Sequence, residues 1–499
     1  MNQPTSTSSI LKVLAKKALL EHGFLPEYNV SVQNEVAQLQ LPKLSPTDSI
    51  KDYRNKLWFS IDNDDSKDLD QLTYAEALND NTYKIYIAVA NVDLLVKKNS
   101  PIDLFAQHNT TSIYCPTINF PMLPTNLSYD LTSLNEHQDR EAMIIEIIIN
   151  SDGTIGQYDT YLALVNNKAK FAYNSLAPWL ETSNNPPIKI AQVPGISDQI
   201  ILQDKIAKLM RKNRKFQGAL TLVTIEATPL LSDDKIVDLV PAESNRAHNL
   251  IEDFMIAANI AVARFLGNHQ VPSLQRVVRI PKRWDRIVEI ASTYGFQLPK
   301  DPDPIKLDQF LQERNKADPL NFPTLSLTVI KLLGNGEYVV KYPGIAPLGH
   351  FDLALKDYTH STAPNRRYTD LITQRLLKSI LSNQPQPYLP QELESLAKHC
   401  TEKESDANKV ERKMKKAAAI LILTPKLNQN FDALVTGASD KGTWVRIFHP
   451  VVEGKLVKGY QGVDVGDQII VKLVHLDLEN GFIDFEYVAD NVKHIPASS

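Results

Sequence analysis

Residues 59–71 read Phe59-Ser-Ile-Asp-Asn-Asp-Asp-Ser-Lys-Asp-Leu-Asp-Gln71. An apolar, strand-like run ends at Ile61, and five aspartates follow within nine residues: Asp62, Asp64, Asp65, Asp68 and Asp70. Like charges at that density repel one another unless cations neutralise them. Carboxylate oxygens are the ligands that magnesium and manganese prefer. Two such ions about 3.5–4 Å apart can activate a water and stabilise the leaving oxygen of a phosphodiester. Two plainer readings stand beside this one. The segment can be a solvated acidic loop, or a calcium loop; the second is disfavoured because position six from Asp62 is not Gly and position twelve is not Glu.

Outward from this segment the chain divides by pattern. Ile10 to about Leu39 is helical, with Leu11, Leu14, Ala15, Ala18 and Leu19 at helical spacing, a stop at Gly23 and a second short helix from Val32. Pro42, Pro46 and Asp48 lead out of it. Strands are predicted at Leu57–Ile61, Tyr83–Val89, Met143–Ile149 and Thr160–Val165. Residues 181–200 read as a polar loop containing Asn184, Asn185, Pro186 and Pro187. Ile201–Arg214 is a basic helix, Leu220–Ile225 and Ile236–Val240 are strands, and His248–Leu266 and Arg366–Leu381 are amphipathic helices. After the cluster Pro385, Pro387 and Pro390, a helix runs from Leu393 to Ile422. Beyond Pro425 five short strands follow, at Phe431–Thr436, Gly442–Ile447, Lys455–Val457, Gln468–Leu476 and Phe482–Tyr487, which suggests a small OB-type barrel. The class expected is α+β, with an N-terminal helical domain over 1–50, a catalytic domain over 51–425 and the barrel over 426–499.

The 499 residues are too many for one core. With 43% hydrophobic and 22% charged residues the chain reads as ordinary globular protein. A net charge of −4 gives no sign of nucleic acid, although segregated charges can still build a basic groove. Two cysteines, Cys115 and Cys400, fit a reducing compartment and no structural zinc. No apolar run is long enough to span a bilayer, residues 2–9 carry no secretory signal, and the amphipathic stretch Ile10–Leu25 lacks the arginines of a transit peptide. A cytoplasmic location and no membrane partner are expected.

The acidic run resembles the catalytic signature of the RNase II / RNase R (RNB-domain) family, in which aspartates at its first, seventh, ninth and tenth positions hold magnesium. Asp62, Asp68 and Asp70 match; the tenth position is Gln71, which offers one neutral oxygen in place of a charged ligand. Further motifs in the family's order carry the resemblance over about residues 50–425: the Tyr86–Val96 segment, Tyr114-Cys-Pro, Pro121-Met-Leu-Pro124, Leu131-Thr-Ser-Leu-Asn135, Leu250-Ile-Glu-Asp-Phe-Met-Ile-Ala-Ala-Asn259 and Tyr358-Thr-His-Ser-Thr-Ala-Pro-Asn-Arg-Arg-Tyr-Thr-Asp370. The chain looks like a short form without the cold-shock domains that precede the catalytic domain in larger members.

The resemblance implies a magnesium-dependent (or manganese-dependent) 3′→5′ exoribonuclease that degrades single-stranded RNA to nucleoside 5′-monophosphates. It implies metal ligation by Asp62, Asp68 and Asp70, with Asp68, Asp70 and Arg366 catalytic. It implies base stacking on Tyr114, ribose reading by Tyr173 and Glu252, and Glu411 near the RNA 3′ end. Leu222 aligns with a phenylalanine that clamps the last base in RNase II itself. Each residue also has a plainer reading: Arg366 as a helix-start ion pair, Tyr114 as a half-buried strand residue, Glu252 as a solvent-facing helix residue. Two basic stretches, Lys205–Lys215 and Lys409–Lys416, are either solvated helix faces or phosphate contacts. In the barrel Trp444 and Phe448 are either core or a stacking platform. Because of Gln71, a catalytically weakened or inactive RNA-binding protein on the same scaffold is the alternative.

Overall fold

The apolar run before the aspartates becomes the strand Phe59–Asp62, and the chain returns antiparallel as Gln71–Ala77, so the acidic segment is the connection between two neighbouring strands. The computed structural model describes residues 7–490 except 44, 48, 183–185, 224, 233 and 234. The two strands lie in a seven-stranded mixed sheet ordered Ile50–Asp52, Ile155–Asn166, Asp139–Ile149, Tyr83–Ala90, Gln71–Ala77, Phe59–Asp62, Ala169–Ala172. Pairing is antiparallel except at the margins, where Ile50–Asp52 runs parallel to Ile155–Asn166 and Phe59–Asp62 parallel to Ala169–Ala172. The central Tyr83–Ala90 strand is buried along nearly its whole length, as its unbroken apolar sequence requires.

The helix Arg246–Asn268 packs on this sheet through a broad apolar face that includes Leu250, Phe254, Ala258 and Val262. Asn245 caps it: its side chain accepts from the Ala247 and His248 N–H groups, and the His248 ring accepts back from the Asn245 N–H. The 34-residue helix Pro390–Leu423, about 51 Å long at 1.5 Å per residue, ties three cores together. Leu393, Leu396, Ala397 and Cys400 pack on the sheet core. Val410, Met414 and Ala417 pack on Leu11, Ala15, Ala18 and Leu19 of the N-terminal helix Thr7–Glu21. Ala419, Ile420 and Leu423 enter the barrel core. The barrel is closed by five strands, Asn430–Ser439, Gly442–Phe448, Val451–Lys458, Phe482–Asp490 and Gln468–Asp477, so the predicted C-terminal barrel and the α+β class are both borne out.

Several details differ from the sequence reading. Within residues 181–200, Ile188–Ala191 and the start of Ile196–Phe216 are helical; Asn184 and Asn185 lie outside the described residues. Residues 220–223 form no strand: the Thr221 N–H donates to Asp308 and the Val223 N–H to Ser326, tying the segment to a separate helical core. That core comprises Trp284–Thr293, Pro304–Ala317 and Phe322–Leu333, none of which was predicted. Leu222 packs on it. Trp444 and Phe448 alternate with the buried Thr443, Val445 and Ile447, so both face out of the barrel rather than into its core. Cys115 and Cys400 are buried and unpaired with each other. Among the described residues no helix is long and apolar enough to cross a membrane.

Candidate active site

The acidic connection is held from beneath by Leu131-Thr-Ser-Leu-Asn135. Ser133 Oγ accepts from the Leu69 N–H at 3.0 Å and donates to the Lys67 carbonyl at 2.9 Å, and the Leu134 N–H donates to the Leu69 carbonyl at 2.9 Å. Lys170, on the neighbouring Ala169–Ala172 strand, donates to the carbonyls of Asp64 and Ser66. These bonds consume backbone groups and leave the carboxylates to face the site. Asp62 accepts from its neighbour's N–H at Asn63 and from Ser66 Oγ, both at 2.8 Å. Asp64 and Asp65 are exposed.

Asp70 is 2% exposed. One of its oxygens accepts from the Asn365 N–H at 3.0 Å, and the other lies 3.6 Å from Arg366 Nε. Asn365 is itself locked, accepting from Thr132 Oγ1 at 2.6 Å and donating to the Thr132 carbonyl at 3.2 Å. Residues 365–367 precede the helix, which begins at Tyr368 rather than Arg366. Ser112 N–H and Thr111 Oγ1 both donate to the Arg366 carbonyl, and the Tyr368 N–H donates to the Thr110 carbonyl. The backbone is thus strapped down while the Arg366 side chain stays 45% exposed. Arg367 turns the other way, half-buried against the fully buried Asp370 at 2.7 Å.

Tyr114, on the short strand Ile113–Cys115, joins the acids to the long helix. Its hydroxyl donates to Asp68 Oδ2 at 3.2 Å, and its N–H donates to Glu411 Oε1 at 2.9 Å. Its ring remains open to solvent. The structure therefore brings Asp62, Asp68, Asp70, Tyr114, Arg366 and Glu411 into one place. Tyr173 opens the helix Tyr173–Thr182, directly after the strand beside Asp62, and its phenol is raised by burial and by Asp62. Its ring stacks on His248, with centroids 3.8 Å apart and planes 16° from parallel. Glu252 lies one turn beyond His248 on the helix Arg246–Asn268, exposed and 3.6 Å from Arg211. No catalytic or binding motif of the sequence singles out His248; its one local signal is its place at the third helical position after a capping Asn.

The basic stretches divide. Lys208 pairs with Asp204, and Arg211 and Arg214 bracket the buried Asp253, so much of the first stretch is structural. In the second, Arg412, Lys415 and Lys416 line a cavity of about 810 Å³ with Lys331 and Arg446, between the long helix and the barrel. Glu411 and Asn408 line the same cavity.

Among the described residues no group of three or more His, Cys, Asp or Glu side chains is drawn into a closed cation cage. The donor chemistry nevertheless fits a hard divalent cation. Burial raises Asp68 from its ordinary value, with Asp62 adding repulsion. Burial pushes Asp70 up to about 8; Arg366 opposes the shift and Asp68 adds to it. Carboxylates that hold a proton in the absence of a cation release it when one arrives. Gln71, the first residue of its strand, is half-buried and supplies no charge. Gln71→Asp is expected to lower the metal concentration for half-maximal binding by about three- to tenfold, since a charged oxygen ligand replaces a neutral one; titration calorimetry with manganese checks this, and an unchanged affinity would place residue 71 outside the metal's reach.

Comparison with known proteins agrees with this architecture. Residues 50–383 match the RNB domain, and residues 429–488 match the RNase II-type exonuclease C-terminal S1 domain. Ribonuclease R of Thermotoga maritima is 28% identical, the alignment covering 96% of this chain and 70% of that protein. Ribonuclease R 1 of Lactococcus lactis is 26% identical over 89% of this chain and 57% of its own length. The chain thus spans between about half and about two thirds of these relatives. The solved structure of Mycoplasma genitalium RNase R with ribose methylated single-stranded RNA superposes with a TM-score of 0.84 at 23% identity, covering 96% of this chain and 78% of that one.

Proposed function

The chain belongs to the RNB-domain family, and from that membership we propose that it is a metal-dependent 3′→5′ exoribonuclease of the cytoplasm, degrading single-stranded RNA to nucleoside 5′-monophosphates. The observation that carries the reading is the buried carboxylate of Asp70, bonded to the Asn365 N–H and facing Arg366 beside Asp68. Asp62, Asp68 and Asp70 would hold the cation, magnesium or manganese, which supplies Lewis acidity toward a phosphodiester. In this reading residues 51–425 are the catalytic domain, 426–499 the RNA-binding barrel and 1–50 a helical N-terminal domain.

The chain's own residues divide the remaining work. Arg366 offers a permanently charged fork to the phosphate whose negative charge grows as the bond breaks. Tyr114 presents an open ring on which the terminal base stacks, worth about 1–3 kcal/mol and blind to base identity. Glu411 fixes the Tyr114 backbone, and the Tyr114 hydroxyl keeps Asp68 oriented. Tyr173 and Glu252 contact ribose. The cations lining the cavity beside the barrel draw in the phosphate backbone, so binding weakens as salt rises.

The test is a time course on 5′-labelled single-stranded RNA with magnesium or manganese. The expected result is a ladder shortening from the 3′ end with release of nucleoside 5′-monophosphates. Intact RNA across the whole metal titration, or cleavage at internal positions, would sink the reading.

A further inference from the structure

The Tyr173–His248 stack sits where the acidic loop meets the helix that carries Glu252, and the proposed mechanism leaves the imidazole unused. Its geometry is determined on three sides. The Asn245 N–H donates to His248 Nδ1 at 3.3 Å, so Nδ1 is the unprotonated nitrogen and the neutral ring carries its hydrogen on Nε2. The ring plane is set by the Tyr173 stack. The backbone is set by the helix cap, because the His248 N–H also donates to the Asn245 side chain at 3.1 Å. Among the described residues nothing bonds to Nε2. Both Asp62 and Glu252 act electrostatically on the ring, which places it between the metal-binding loop and the ribose-reading carboxylate.

A fixed tautomer, a stacked ring and a half-buried N–H without a partner add up to a donor held for a ligand. The fitting chemistry is a 2′-hydroxyl, which alone among nucleic-acid sugar groups both donates and accepts at that position. We propose that His248 is a specificity-determining residue: its Nε2–H donates to a ribose 2′-oxygen near the RNA 3′ end while Glu252 accepts a hydrogen bond from that hydroxyl. The pair tests both halves of the hydroxyl, and a deoxyribose satisfies neither. Tyr173 is then the platform that holds the imidazole in plane as well as a ribose contact. This inference rests on the exoribonuclease reading.

The experiment uses the full chain carrying Asp70→Asn, so that RNA stays intact. Affinity is measured for a single-stranded oligoribonucleotide and for versions with one 2′-deoxynucleotide at each of the last four positions. One position is expected to show a penalty of about three- to tenfold, the size of one to two net hydrogen bonds. His248→Phe keeps an aromatic ring against Tyr173 but removes the donor, and should erase most of that penalty while leaving the other positions unchanged. His248→Leu, which has no donor and leaves the Asn245 side-chain cap on the 247 and 248 backbone N–H groups in place, gives the same readout if the Phe variant does not fold. Equal weakening of every oligonucleotide would make His248 a packing residue and overturn the inference, as would penalties identical to the parent's. RNA that binds with no deoxy penalty anywhere sinks the inference alone; no RNA binding at all sinks the exoribonuclease reading with it.

Discussion

Asp70→Asn is expected to leave the chain folded and bound to RNA while lowering hydrolysis by about a thousandfold, the scale of losing a preorganised group from a charged reaction centre. The two halves of that result have one cause. Burial pushes the Asp70 carboxyl up to about 8, so without a cation the folded protein holds it mostly protonated at pH 7. Asparagine copies that neutral form and keeps an oxygen for the Asn365 N–H. The sign for stability follows. A carboxyl whose folded value lies above its unfolded value stabilises the fold below the unfolded value, and that contribution is lost as pH rises through about 8. Thermal melts in chelator should therefore show the variant gaining on the parent as pH rises from about 4 to about 8, with a constant advantage above that. Gel assays and binding isotherms supply the other readouts. A variant that loses RNA affinity along with activity, or that melts well below the parent at pH 7, would mean that Asp70 is needed ionised for the fold itself.

How much of this was legible beforehand depends on which interactions are local. The strand before Asp62, the helix over Arg246–Asn268 and the barrel strands repeat at periods of two or 3.6 residues, so their sequences announce them. The Gln71–Ala77 strand went unread because its start is disguised by the acidic run, and its pairing partner Tyr83–Ala90 supplies the evidence only in three dimensions. The helices between Trp284 and Leu333 form a core of their own and carry no chemistry to attract notice. At the site, the aspartates and the tandem arginines were visible as residue types. Their division of labour was not: that Ser133 clamps the acidic loop, Asn365 meets Asp70 and Glu411 holds Tyr114 are contacts across 64, 295 and 297 residues of sequence. Leu222 shows the same limit from the other side, since its aligned position suggested a base clamp and its neighbours are the Trp284 core.

Adjacent arginines should fail in opposite ways, and that contrast is the sharpest test of the site. Arg366→Ala is expected to cost about 10²–10³ in rate, because a charge aimed at the transition state is lost, with melting temperature unchanged because its side chain is 45% exposed and its backbone bonds to Ser112 and Thr111 survive. Arg366→Lys should recover only part of the rate, since an ammonium supplies a point charge and no planar fork. Arg367→Met removes the partner of Asp370, a carboxylate that is 0% exposed and 2.7 Å from the guanidinium. The remaining bonds to Asp370, from the Ala363 N–H and Thr369 Oγ1, carry no formal charge. Leaving that anion buried should cost about 3–5 kcal/mol of stability, read as a lower urea midpoint. The Asp370–Ala363 bond also shapes the turn that delivers Asn365 to Asp70, so activity in Arg367→Met should fall together with the folded fraction rather than ahead of it. A double variant, Arg367→Met with Asp370→Leu, removes the orphaned charge and should regain stability relative to Arg367→Met alone while Arg366 still faces the site. If instead Arg366→Ala destabilises the fold and Arg367→Met is stable but inactive, the two arginines have exchanged roles, and the phosphate approaches from the side of Asp370.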